Sequence, residues 1–148
     1  HNVARCESNE MFKYVLNDQS VGAFAGKVLV KENCPRTVAY QGNRNIVASA
    51  DAKMYSKPQL EIYTDDVKCS HGSATGQLNE EALFYMRSRG ISEAEARQLL
   101  MQAFMSDVID AVRLPALKDR LHHLVEKRFR GQLAMCADCT AANCAAAK

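Results

Sequence analysis

The run Lys57-Pro58-Gln59-Leu60-Glu61-Ile62-Tyr63-Thr64-Asp65-Asp66-Val67-Lys68-Cys69-Ser70-His71-Gly72 decides how the first half of this 148-residue chain is read. Leu60 and Ile62 alternate with Glu61 and Tyr63, the two-residue period of a strand with one covered face. Thr64-Asp65-Asp66 is a turn signal. Val67, Cys69 and His71 then share one side of a further extended segment. The same period stands upstream, where Phe24, Val28 and Val30 oppose Lys27 and Lys31. Other turn signals are Asn17-Asp18, Asn33-Cys34-Pro35, Gln41-Gly42-Asn43 and His71-Gly72-Ser73. Residues 1–78 therefore read as short strands at uneven intervals. A sandwich and the stacked coils of a β-helix both fit, and periodicity does not choose between them. A β-helix cut at residue 1 leaves an open end of the stack, an edge that tends to self-pair.

Beyond Leu78 the period changes to that of helices. Asn79 is placed to cap a first helix, with Glu80 and Glu81 in its first turn and Leu83, Phe84 and Met86 on its apolar face. Gly90 is a stop signal. Ser92 to Glu95 has capping-box spacing. Ala96, Leu99, Leu100, Ala103, Phe104, Val108 and Val112 then recur at steps of three and four, an amphipathic helix of about five turns. Pro115 is expected to end it. Leu117, Leu121, Leu124 and Val125 define a third helix to about Arg130, stopped by Gly131. The expected organisation is strands over 1–78, a small helical cluster over 79–131 and a flexible Cys- and Ala-rich tail over 132–148.

Composition narrows the function. Apolar residues make up 47% of the chain, enough for a core. The formal net charge is +2 and is spread evenly, which argues against nucleic acid or an anionic membrane as partner. No apolar run approaches the ~18 residues of a membrane span. The start at His1, with no initiator Met and no apolar leader, reads as a piece of a longer chain. Six cysteines could form three disulfides in a secreted protein. The long helical segment and the lack of an Asn-x-Ser/Thr acceptor favour reduced thiols and a cytoplasmic setting. No phosphate-binding loop, nucleophile elbow or His-Glu-x-x-His helix is present, so a self-sufficient enzyme is not expected.

Cys69 and His71 are the pair with most chemistry. A thiolate and an imidazole two residues apart on one strand face can reach iron or zinc. Two ligands do not make a stable site, so others must come from elsewhere in the chain or from a partner. The bland alternative is that Cys69 is a small core residue beside Val67. Cys136, Cys139 and Cys144 begin with metal-ligand spacing but lack a fourth ligand nearby, so a plain tail is the better reading. Arg120, His123, Lys127 and Arg130 share a face of the third helix. They suit an acidic surface or simple solvation. Of Glu61, Asp65 and Asp66, the last two fall where a turn is expected, so the three make a poor catalytic set. Tyr14, Tyr40, Tyr55 and Tyr63 read as β-surface residues.

The residues from Gly42-Asn43-Arg44-Asn45-Ile46-Val47 through the opening run, with Leu83-Phe84-Tyr85-Met86-Arg87-Ser88-Arg89-Gly90-Ile91, resemble the SufB/SufD family of iron–sulphur cluster assembly proteins. Lys-Pro-Gln-Leu-Glu-Ile at 57–62 and Asp-Asp-Val-Lys-Cys-Ser-His-Gly at 65–72 point to its SufD branch. The resemblance covers about residues 12–130. It implies a right-handed parallel β-helix followed by a helical C-terminal domain, of which this chain would keep the last coils and the helices. It implies a non-catalytic subunit that pairs with a SufB-type paralogue along the β-helix and docks a SufC-type ABC ATPase through its helices. Phe104, Arg113, Leu117, Arg120, His123 and Lys127 are the expected ATPase contacts. His71, with Cys69 as a second group, would serve cluster assembly at the paralogue interface, with no resident cofactor and only transient iron or cluster. The cut stack also allows a homodimer of the fragment. The alternative reading is a stand-alone β-helix that binds or cleaves carbohydrate, although few aromatics and carboxylates share a face. A third is a metal-storing module built on the Cys-rich tail.

Overall fold

The computed structural model describes residues 1–132. Five strands come first: β1 (Glu7–Leu16), β2 (Val21–Val30), β3 (Val38–Val47), β4 (Lys53–Ile62) and β5 (Lys68–Gly76). Three helices follow: α1 (Glu80–Ser88), α2 (Glu93–Asp110) and α3 (Pro115–Phe129). The β-then-α order is as expected. The chain divides into two compact units, His1–Arg97 and a second beginning at Gln98.

Successive strands go to alternate sheets. One sheet has the order β1-β3-β5, the other pairs β2 with β4, and every pairing is parallel. The register is nearly constant. Glu10 faces Gln41, 31 residues on. Asn45 faces Thr75, 30 residues on. Each circuit through both sheets thus repeats one structural unit, and a sandwich of antiparallel hairpins is excluded. The turns repeat as well. Arg5, Arg36 and Asp66 hold φ of 58°, 59° and 57°. Each sits two residues before β1, β3 or β5. The turn backbones are bonded between circuits, Arg5 N–H to the Pro35 carbonyl at 3.0 Å and Arg36 N–H to the Asp66 carbonyl at 2.6 Å.

Strand alternation fills the space between the sheets. Val28, Val30, Cys34 and Ala39 form a buried apolar cluster, with Leu60, Val67 and Cys69 packed against it. Phe24 is buried farther along and stacks at 4.9 Å from Phe12, with Tyr14 edge-on at 6.4 Å. Lys27 is on the outer face, as its period predicts, and meets Glu61 at 3.1 Å.

Two turn assignments are corrected. Gln41-Gly42-Asn43 is the middle of β3, and His71-Gly72-Ser73 lies within β5. Gln41, Asn43 and Asn45 are polar residues of the inward face, all buried. The Asn43 amide oxygen accepts from Asn45 Nδ2 (2.7 Å), Ser56 Oγ (2.7 Å) and Ser73 Oγ (3.4 Å), and its Nδ2 donates to Asn45 Oδ1 (3.1 Å). Side-chain bonding replaces the hydrophobic signal by which a strand is normally recognised. The strands are therefore longer and more regular than the sequence pattern suggests.

The helices begin where their caps predict. Asn79 Oδ1 accepts from the Ala82 N–H at 3.0 Å, and Ser92 Oγ from the Glu95 N–H at 3.3 Å. Gly90 and Gly131 take φ of +88° and +68° just past helix ends, where a side chain would be strained. Pro115 differs from expectation. α2 stops earlier, at Asp110, and Pro115 is the first residue of α3, where its missing N–H is harmless. Leu114 before it is extended, at φ −90° and ψ 110°. In the second unit, Gln98 Nε2 donates to the Phe129 carbonyl at 3.1 Å, and Asp110 receives Lys118 at 3.7 Å and His122 at 3.3 Å. The stripe of α2 is only partly covered: Ala96 is buried, whereas Leu99 and Ala103 are exposed.

Candidate functional site

The site is built on the last strand. β5 pairs with β3 along one edge, so the inward face of β5 has a covered side and an open side. Cys69, His71, Ser73 and Thr75 alternate along that face. Cys69 lies opposite the buried Ala39, is half-buried, and packs against the apolar cluster. His71 lies opposite Gln41 and is exposed. Ser73 and Thr75 end the polar network, Ser73 Oγ donating to Ser56 Oγ at 2.7 Å and Thr75 Oγ accepting from Asn45 Nδ2 at 3.1 Å. The expected shared face of Cys69 and His71 is present. Their surroundings differ: the thiol joins the packing and the imidazole stands at the open rung.

Cys6, Cys34 and Cys69 are all free thiols. Cys34 is buried and its thiol donates weakly to the Glu32 carbonyl at 3.4 Å. Among the described residues no three His, Cys, Asp or Glu side chains are grouped to hold a metal ion. A metal or cluster bound here at His71 would need ligands from beyond the described residues, of this chain or of another. Cys136, Cys139 and Cys144 lie outside the described residues.

Sequence reasoning missed two members of the site. Glu10 in β1, Gln41 in β3 and His71 in β5 form one inward row across three strands. Gln41 Nε2 donates to Glu10 Oε2 at 3.1 Å. The signal was there in the 31-residue offset, but Gln41-Gly42-Asn43 has the composition of a turn.

The residues expected on the helices are spread over α2, the connection and α3. Phe104 in α2 is half-buried, and Arg113 before α3 is exposed. On α3, Leu117, Arg120 and His123 are exposed and Lys127 is half-buried. Arg120, His123 and Lys127 share a helical face by spacing. Arg130 instead pairs with Glu126 at 2.8 Å. No helix among the described residues is long and apolar enough to cross a membrane.

A parallel two-sheet coil stack with an exposed imidazole on its last strand, followed by three helices with exposed apolar residues, defines the class of protein. Residues 1–104 match the family described as SUF system FeS cluster assembly, SufBD core domain. An iron–sulphur cluster assembly SufBD family protein of Synechocystis is 40% identical over 121 residues, 82% of this chain and 27% of that protein. The iron–sulphur cluster assembly protein SufD of Escherichia coli is 36% identical over 131 residues, 88% of this chain and 31% of that protein. Protein ABCI7, chloroplastic, of Arabidopsis thaliana is 36% identical over 123 residues, 82% of this chain and 26% of that protein. The chain belongs to the SufBD family. It spans about a third or less of the length of these relatives.

Proposed function

We propose that the chain is the C-terminal part of a SufD-type subunit that assembles iron–sulphur clusters within a SufBCD-type complex. Its strands are the last coils of a right-handed parallel β-helix, a reading supported by the near-constant circuit length and the alternation between two parallel sheets. The β-helix pairs with a SufB-type paralogue, and the helices dock a SufC-type ABC ATPase through Phe104, Arg113, Leu117, Arg120, His123 and Lys127. The subunit is non-catalytic and cytoplasmic. Iron or a nascent cluster is transient cargo and not a resident cofactor.

The observation that carries the proposal is the exposed His71 on the uncovered rung of the stack, next to a packed Cys69. One imidazole offered to a neighbouring chain suits assembly, because a cluster held by few ligands from each side is easily released. The test is His71→Ala in the reconstituted complex. Iron and sulphide content should fall several-fold, while size-exclusion chromatography shows the subunits still together. Unchanged cluster content would remove His71 from the site. A dissociated complex would assign it a structural role.

A further inference from the structure

Gln41 is the odd member of the polar interior. It is only 4% exposed, and its Nε2 is satisfied by Glu10 at 3.1 Å. Its Oε1 is buried with no hydrogen-bond partner among the described residues. Its neighbours Asn43 and Asn45 are fully engaged, so the unpaired oxygen stands out. The opposite sheet makes room for it: a Cβ on Gly26 would lie 2.6 Å from that oxygen. Glu10 fixes which end of the amide faces which way. An ionised carboxylate only accepts, so Nε2 must point to Glu10 and Oε1 must point elsewhere. On the next strand of the same row is His71. Adjacent strands are about 4.8 Å apart, a spacing across which side chains of facing residues can meet.

We propose that Gln41 is a positioning residue for His71. Its Oε1 accepts a hydrogen bond from one ring nitrogen, which selects one neutral tautomer. The other nitrogen is left with its lone pair at the open rung. Metal-binding imidazoles are commonly held in this way by an acceptor behind the ring. The row then works as a relay of orientation: Glu10 orients Gln41, and Gln41 orients His71. The bond is made when the ring turns inward over the strand, and it opposes the free rotation of an exposed side chain. This inference rests on the reading of His71 as the ligand-offering residue, but its test is independent of cluster assembly.

The experiment is long-range proton–nitrogen NMR of the His71 ring in the 148-residue chain, at mildly alkaline pH where imidazoles are neutral. The native chain should show one dominant tautomer. Gln41→Leu keeps the volume and removes the acceptor, and should move the tautomer ratio about fivefold, the population equivalent of one ordinary hydrogen bond. The milder Glu10→Gln lets the amide turn over and should move it in the same direction by less. The double exchange Glu10→Gln with Gln41→Glu restores a donor facing an acceptor and leaves an oxygen for the ring, so the dominant tautomer should return. An unchanged ratio in a folded Gln41→Leu chain overturns the proposal. So does a lost preference that the double exchange fails to restore, since that traces the effect to packing. If these variants behave as expected while His71→Ala leaves cluster content unchanged, the positioning stands and the cluster-assembly role of the ring falls.

Discussion

The strands and the helices of this chain use their apolar residues in opposite ways. Val30, Cys34 and Ala39 between the sheets are at most 1% exposed. α3 has no buried residue at all, and Phe84 of α1 is 73% exposed. The strand stack is therefore held by its own interior, by burial at one end and by an amide and hydroxyl network at the other. The helices bury only Leu83, Ala96 and Ile109 and otherwise rely on caps, ion pairs and partial burial, which each contribute little. Apolar surface left open on helices that have the means to fold is surface available to a partner.

The comparison predicts unequal responses to mutation. The largest effect should come from Val30→Asp, which puts a carboxylate into the apolar cluster with nothing to pair it. A loss of more than about 4 kcal/mol is expected, enough to unfold the strand unit. Circular dichroism and a chemical melt measure it. A chain that keeps its β signal with an unshifted midpoint would mean that the cluster is not what holds the stack. The next effect tests the polar end. Asn43→Leu keeps the number and branching of the side-chain heavy atoms but strips Asn45 and Ser56 of a shared acceptor. Unpaired buried polar groups cost roughly 1–3 kcal/mol each, so a loss of about 3 kcal/mol is expected. A neutral or stabilising result would make the interior network dispensable.

Sequence reasoning reached the turns and caps more readily than the strands between them. Asn17-Asp18, Asn33-Cys34-Pro35 and Thr64-Asp65-Asp66 are turns, and Asp18, Asn33 and Asp66 all take positive φ. Asn79, Gly90, Ser92 and Gly131 act at helix ends through local chemistry that four or five residues encode. β3 was hidden because its inward side chains are Gln41, Asn43 and Asn45, which read as loop until their partners one circuit away are known. A ladder satisfied by residues 30 or 31 positions off leaves no local periodicity to find. The same reason hid the Glu10–Gln41–His71 row, although His71 itself was legible beside Cys69. In the sequence Pro115 reads as punctuation, but a proline ends one helix and begins another equally well, and only backbone geometry tells the two apart.

The smallest stability effect is expected on the helices, and it sharpens the comparison most. Leu117 is in the first turn of α3 and is 44% exposed. Leu117→Ser removes an apolar side chain that already faces water, so the midpoint should move by no more than about 0.5 kcal/mol. If that leucine serves a partner, the cost appears elsewhere: capture of the SufC-type ATPase by the variant should weaken by about tenfold or more, in the range of a buried interface anchor. Stability and binding then separate at one residue, as they do not at Val30. A variant that melts several kcal/mol lower would show that Leu117 is a packing residue of the helices. One that keeps both its midpoint and its partner would leave α3 as a solvated helix with no docking role at this position.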